Sequence, residues 1–511
     1  MTTWYKTGSP LNFWYSIASD YKGQRLVAAG VAANSFMYTS TNGGINWTNN
    51  QTGLPTPPSS GDWNFKVASD STGLKLVTVY SNSSLSKNGI YTSTDGGFNW
   101  TLQTNGLPDQ NIYADWVSIE SGHSGQTLFA VSDNQGTYIS KDYGSSWTRQ
   151  VGLAYTDVIT GAMNSDGTKF FVVIINITGV NFYENFTGLP DGWGSGSFNF
   201  YPSTGSDVPT NGFLACDSTG QYVVFAPQLS TLPIDHIWCS TNFGDTFVQR
   251  TIPIPLWITS IACDYTGNKL VVSGRRRGTV TTGGIIISYD GGLTWSLTDA
   301  NINLYWTSVA SNYNGTKLVA TAEFAVNGSF PDSIYTTQYA CFKEGTKILT
   351  DQGYRLIQDL RKGDLVKTLL HGFKPIDLIG KRDIFHSASK ERIKDQLYKC
   401  TRRQYPEVFA DLIITGCHCI LVSNFISEEE REKSFEVNGG DVFITDEKYR
   451  LPACVDEKTQ VYEIEGTHTI YHLALENENY YKNYGIYANG LLVESCSKRY
   501  LKELANMELI E

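Results

Sequence analysis

Cys341 is the residue best placed to do covalent chemistry on the chain itself. Its sulfur lies one residue past the Ala340 carbonyl, so it can attack the Ala340–Cys341 peptide bond. That N-to-S acyl shift exchanges an amide for a thioester, which is uphill unless the fold strains the amide and protonates its nitrogen. The plainer reading of an isolated cysteine is a small buried residue. Cys417 and Cys419 flank His418, but a C-x-C step without a second ligand pair is a weak zinc signal, and no metal or cofactor is expected. Asp62, Asp115 and Asp235 lie between candidate strands, where a two-carboxylate glycosidase would carry its acid and base. No spacing singles out a pair.

The elements that must hold these residues fall into two parts. The chain has 511 residues, enough for two or more domains. Of the first 340 residues 37 are charged, against 52 of the last 171, and all 12 tryptophans precede residue 341. A composition break therefore lies close to Cys341. Nine cysteines over this length form no disulfide framework, and the odd number leaves at least one unpaired. The net charge of −11 offers no attraction to nucleic acid, and the one dense basic cluster, Arg275, Arg276 and Arg277, reads as a surface turn. No run of about 18 apolar residues marks a transmembrane helix. No basic start followed by an apolar run marks a signal peptide.

The first 340 residues repeat. SIASDYKGQRLVAAG at Ser16 returns from Lys66, Ser118, Gly161, Leu214, Ser260 and Ser308, each copy reading as strand, Gly turn and strand. Cys216 and Cys263 occupy the same place in two copies and read as small buried hydrophobes. A second unit, Ser-x-Asp/Asn-x-Gly-x-x-aromatic, follows five copies and carries Asn42, Asp95, Asp142, Asn242 and Asp290. In such a tip the Asp or Asn accepts bonds from turn amides, Gly permits positive φ and the aromatic anchors the outgoing strand. These matches resemble the Asp-box, or BNR, repeat of sialidase-like and sortilin-like β-propellers. Seven units of about 43 to 53 residues, four strands each, predict a seven-bladed propeller over residues 1–340, with TTWYKTG completing the last blade. The resemblance gives the five Asp and Asn residues structural roles. A sialidase would need arginines converging on a carboxylate, and no Arg-Ile-Pro motif is present.

After the break come CFKEGTKILTDQGYRLIQDLRKGDLVKT from Cys341, GFKPIDLIGKRDI from Gly372, ITGCHCILV from Ile414, VYEIEGTHTIYHLALE from Val461 and YGIYANGLLVES from Tyr484. In this order they resemble a Hint (Hedgehog/intein) domain, over essentially residues 341–496. The resemblance implies that Cys341 is the nucleophile, that His418 bonds to and protonates the scissile amide nitrogen, and that Thr415 orients or polarises the scissile group. His472 sits in a block that carries auxiliary catalytic residues in inteins and reads equally as a packed structural histidine. Gly345, Gly363 and Asp364 read as fold residues. Splicing inteins end in His-Asn before a nucleophile. This chain has Glu494-Ser495-Cys496, with no carboxamide to cyclise, so cleavage without splicing is expected and Cys496 is a candidate to intercept the thioester. Residues 497–511 read as a short amphipathic helix closing the domain at 341–511.

The resulting expectation is an all-β chain, a seven-bladed propeller followed by a mainly β Hint domain that cuts Ala340–Cys341. Water or a small nucleophile would take the thioester, and the released propeller would bind a glycan or protein. Two alternatives stand beside it: an inert Hint domain in an uncleaved binding protein, and a propeller glycosidase. The resemblance extends to bacterial secreted proteins and to proteins of large DNA viruses, and it leaves the compartment open.

Overall fold

The computed structural model describes all residues except 1–3, 8, 11, 33–34, 45, 56–62, 83–87, 110–111, 152, 154–156, 177–178, 187–191, 195–197, 203–208, 210, 230–232, 277–281, 299, 301–303, 314, 316, 326–332, 338–339, 387, 389–391, 393–395, 438–441, 499, 502–506 and 511. Asp62 and Arg277 lie outside the described residues. The chain is all-β and divides into two compact units, Lys6–Thr336 and Thr337–Glu511, the second grouped with Met1–Tyr5.

In the first unit each repeated motif is an antiparallel hairpin. Phe13–Ser19 pairs with Leu26–Ala32, and Ser35–Ser40 and Thr48–Asn49 complete a four-stranded sheet. Three more sheets repeat this plan, starting at Trp63–Ser69, Trp116–Ser121 and Val158–Met163. A fifth has the order Trp4–Lys6, Ser333–Thr337, Leu318–Ala325, Leu304–Ser311, so the first strand of the chain covers an otherwise open edge. The Thr7 N–H donates to Ile334 O at 2.8 Å and the Ile334 N–H to Ser9 Oγ at 2.9 Å, which fastens this edge.

The expected count of seven separate blades is corrected to five. The remaining strands form one seven-stranded sheet, because Val248–Cys263 is a single strand of 16 residues. Its first part pairs with Ile234–Ser240 and its second with Leu270–Arg276. The sequence RTIPIPLWITSIAC is rich in β-branched residues and carries no Gly or Asn at which to turn, so the chain stays extended through the junction of two repeats. The register slips between Ile234 and His236, opposite the stretch with Pro253 and Pro255, which have no N–H to give a ladder.

The repeats are also joined by a backbone ring. Tyr21 N–H donates to Ser71 O, Ser71 to His123, His123 to Ser165, Ser165 to Ser218, Ser218 to Tyr265, Tyr265 to Tyr313, and Tyr313 back to Tyr21, at 2.6 to 3.3 Å. Tyr21, Tyr265 and Tyr313 stack there at centroid distances of 4.2 Å. The innermost strands enclose a channel of about 300 Å³ lined by Ser, Ala, Val and Ile, among others, together with Lys66, Glu120, Cys216 and Cys263. The two cysteines are half-buried in this wall, more open than the buried sites expected for them. Burial pushes the Glu120 carboxyl up to about 8, against a stabilising bond from Ser118.

Asn42, Asp95, Asp142, Asn242 and Asp290 each take part in one turn pattern. At Ser140 the hydroxyl accepts the Gly144 N–H at 2.9 Å and donates to Asp142 Oδ1 at 2.8 Å, and Asp142 accepts the Ser146 N–H at 2.8 Å. Trp147 closes the turn by donating its indole N–H to Gly144 O at 2.9 Å. The same Ser-to-Gly and Asx-to-amide bonds recur at Ser40, Ser93, Ser240 and Ser288. Gly144 has φ +87, which a side chain would strain. Ser140 is 1% exposed, so Ser140→Ala strands a buried amide and is expected to cost about 1–3 kcal/mol. Urea unfolding followed by tryptophan fluorescence measures this, and an unshifted midpoint would remove the hydroxyl from the account.

The second unit is an antiparallel sheet with a main core containing Phe342, Ile348, Tyr398, Ile414, Leu473, Ile486 and Val493. Its longest pairing joins Phe373–His386 to Gly466–Leu475. A tight hairpin turns at Asn489 (φ 47) and Gly490 (φ 98), the geometry an Asn-Gly pair favours. Asp364 accepts bonds from Arg355 Nη1 at 2.8 Å and from the Arg361 N–H at 2.7 Å, a structural use. The expected tail helix is corrected in part. A turn at Ser497–Leu501 starts it, but Glu508–Leu509 is a strand paired with Gly380–Lys381; residues 502–506 lie outside the described residues.

Candidate functional site

Phe342–Lys343 is a two-residue strand held on both sides: Phe342 pairs with Ile414 on one neighbour and with Tyr471 on the other. Pinning Phe342 in this way fixes Cys341, which is wholly buried. The strand Leu412–Thr415 ends beside it and extends the ladder by one bond, from the Thr415 N–H to Cys341 O at 3.0 Å. The Thr415 hydroxyl accepts the Cys341 N–H at 2.8 Å and lies 3.4 Å from Cys341 O as donor. Thr415 therefore grips both polar backbone groups of Cys341, including the nitrogen of the Ala340–Cys341 amide.

A tight turn follows, with the His418 N–H donating to Thr415 O at 3.0 Å. It brings the His418 ring over Phe342, with centroids 4.2 Å apart, and to 5.1 Å from the ring of His472. Both histidines are 0% exposed. The resemblance implied a bond from His418 to the scissile nitrogen. Here the Cys341 N–H donates to Thr415 instead, and among the described residues neither His418 ring nitrogen makes a hydrogen bond of normal geometry. Burial pushes His418 down to about 3, only slightly opposed by the Glu494 backbone. His472 lies well below the usual imidazole range from burial, reinforced by the neighbouring His418. Both rings are thus neutral at pH 7, able to take a proton and unable to hold one at rest.

Burial likewise pushes the Cys341 thiol up to about 12, with the Arg382 charge and a hydrogen bond from Tyr500 pulling the other way. The resting pair is a protonated thiol among neutral imidazoles. Passing the thiol proton to a nearby nitrogen while sulfur attacks creates no lasting buried charge, the route a dry site favours. Cys496 lies in the same buried cluster as Cys341, its N–H and Sγ donating to Leu473 O at 3.1 and 3.2 Å. Ser495 bonds to the backbone of Tyr484 through both its amide and its hydroxyl.

Ala340, Cys341, Thr415, His418, His472 and Cys496 thus gather around one junction. Two residues that act on the Cys341 thiol were not singled out in the sequence. Arg382 stands opposite Ile470 on the long central strand, and as one of five charged residues in GFKPIDLIGKRDI nothing set it apart. Tyr500 follows the last recognisable block and carried no signal. Among the described residues no group of three His, Cys, Asp or Glu side chains is arranged to hold a metal ion. No helix among them is long and apolar enough to cross a membrane. Asp235 is exposed and bonded to His236 at 2.9 Å, whose other nitrogen meets the Tyr201 hydroxyl at 2.7 Å.

Fold and site together define an all-β chain in which a propeller-like repeat is followed by a domain of the Hint class. Residues 340–498 match the family model described as the Hint domain. Among solved structures, YCF48 bound to D1 peptide is similar at 14% identity, covering 66% of this chain and 95% of that one with a TM-score of 0.44. YCF48 from Cyanidioschyzon merolae gives 12% identity, 66% and 99% coverage and a TM-score of 0.43. A GH74 xyloglucanase from Xanthomonas campestris gives 12%, 81% and 68%, and 0.44. No curated protein matches the chain.

Proposed function

We propose that this is a self-processing protein whose Hint domain, residues 341–511, cuts the Ala340–Cys341 bond and releases residues 1–340. The observation that carries the reading is the double grip of Thr415 on Cys341 within the Hint-family match. In the first step the Sγ–C bond forms to the Ala340 carbonyl carbon, the C–N bond breaks, and the thiol proton ends on the freed amine of Cys341. Thr415 holds the departing nitrogen and keeps Cys341 from rotating, while neutral His418 and His472 are the nearby bases that can relay the proton. Water, or another nucleophile such as Cys496, then attacks the thioester. Ser495 cannot cyclise, so the second junction of a splicing reaction stays closed.

The propeller is the cargo. Its turns, read as Asp-boxes, hold the blades, and its ligand is a glycan or protein. Intact mass spectrometry of the freshly made chain tests the cleavage reading. Fragments ending at Ala340 and beginning at Cys341, formed faster with dithiothreitol, are expected. A single 56.7 kDa species after long incubation would overturn it and leave an uncleaved binding protein.

Thr415→Ala removes the acceptor of the scissile N–H and is expected to slow cleavage roughly 100-fold. Thr415→Ser keeps the oxygen and should recover most of the rate. Equal rates for both variants would show that the hydroxyl is not used.

A further inference from the structure

We propose that Tyr500 is a positioning residue of the Ala340–Cys341 junction, so that the segment after the Hint match completes the site. Its effect on rate rests on the self-cleavage reading above; its placement rests on contacts alone.

The Tyr500 hydroxyl accepts the Ala340 N–H at 3.0 Å. The same side chain lowers the Cys341 thiol, the direction in which a phenol donating to sulfur acts. One phenol therefore touches the residue on each side of the scissile bond. A phenol oxygen can accept one bond and still donate its proton, so accepting from Ala340 leaves the O–H to point at sulfur. The ring stands edge-on to His472, with centroids 5.7 Å apart at 72°, which steadies it. Attack by Sγ on the Ala340 carbonyl needs the sulfur and the acyl residue held in one orientation, and a single anchor bonded to both supplies that. Tyr500 neither gains nor loses a proton in the balance of the reaction.

The rest of the tail explains how the phenol comes to be there. Leu501 and Met507 belong to the buried cluster that contains Cys341, Cys496, Ile470 and Ala474. Glu508–Leu509 pairs with Gly380–Lys381, and the Ile510 N–H donates to Ile379 O at 2.9 Å. The tail crosses the long strand over Gly380, where a Cβ would stand 2.8 Å from Met507 Cβ and 3.3 Å from Leu501 Cδ2. A glycine here leaves room for the tail to dock. The family match stops at residue 498, so Tyr500 and this docking lie beyond the shared module.

Two measurements separate this proposal from the reading it builds on. In a Cys341→Ala chain, which retains the junction, hydrogen exchange at the Ala340 amide is followed by mass spectrometry with and without Tyr500→Phe. Loss of the acceptor is expected to speed exchange by about tenfold. In the cleaving chain, Tyr500→Phe keeps the ring and should slow cleavage about 10- to 100-fold with the urea midpoint unmoved. Gly380→Ala keeps the phenol but displaces the tail, and should slow cleavage likewise. If the parent chain does not cleave, the self-cleavage reading fails while the exchange result still decides the placement of Tyr500. Unchanged exchange, or an unchanged rate in a cleaving parent, overturns the proposal.

Discussion

Cys341→Ala is expected to leave the chain as a single species of 56.7 kDa under every condition in which the wild-type chain yields two fragments. The effect should be complete within detection, because no other group can stand in for a nucleophile one residue from the scissile carbonyl. Cys496 is close but sits in a different part of the chain, with its sulfur turned to Leu473 O. The substitution removes one sulfur from a fully buried site and keeps the backbone bonds to Thr415, so the fold should survive it. Dithiothreitol should accelerate the wild-type reaction by capturing the thioester and have no effect on the variant. Fragmentation of Cys341→Ala at the same junction would assign the cut to an outside protease.

Acid should destabilise the second unit far more than the first. The sign follows from where the protons go. In the unfolded chain histidine takes a proton near pH 6.5, whereas folded His418 resists until about 3 and His472 lies well below its usual range, both from burial. Between those limits the unfolded state binds more protons. Stability is therefore full above about pH 6.5 and is lost as the pH falls towards 3. From pH 7 to pH 5 His418 contributes a loss of about 2 kcal/mol, and His472 adds to it in the same direction. His386 adds to it in the same direction, since burial lowers it and its Nδ1 accepts the Leu397 N–H at 3.0 Å.

The two units can be read separately. Every tryptophan precedes residue 341, so tryptophan fluorescence reports the propeller, and hydrogen exchange in Leu412–Thr415 and Gly466–Leu475 reports the Hint domain. Cys341→Ala is the background for the experiment. His472→Phe fills the same space without a titrating group, and should reduce the acid loss by roughly the share of one histidine. A Hint domain equally stable at pH 7 and pH 5 would mean that these rings are protonated, or reached by water, in the folded state.

The repeat and the break near residue 341 were legible because they are written in local pattern. Each SIASDYKGQRLVAAG-like copy carries its own strand, Gly turn and strand, and each Ser-x-Asx-x-Gly tip bonds within a few residues. The front of the site was legible for a related reason: Cys341, Thr415 and His418 stand in ordered blocks whose spacing is set by short strands. Where two repeats meet, at Val248–Cys263, the pattern misled, because a turn depends on Gly or Asn and that stretch has neither.

The amino-acid sequence by itself thus determined the all-β class, the repeated hairpins and the composition break at Cys341. Only the tertiary structure decided that five four-stranded sheets are separate and that Thr415, rather than His418, holds the Cys341 N–H. It also brought the Arg382 charge near the thiol and the Tyr500 hydroxyl onto the Ala340 N–H. Those outcomes depend on strands far apart in the chain coming into register, on burial that sets the charge of thiol and imidazole, and on a tail docking over Gly380. Such couplings are made by packing between distant segments, and no local spacing records them.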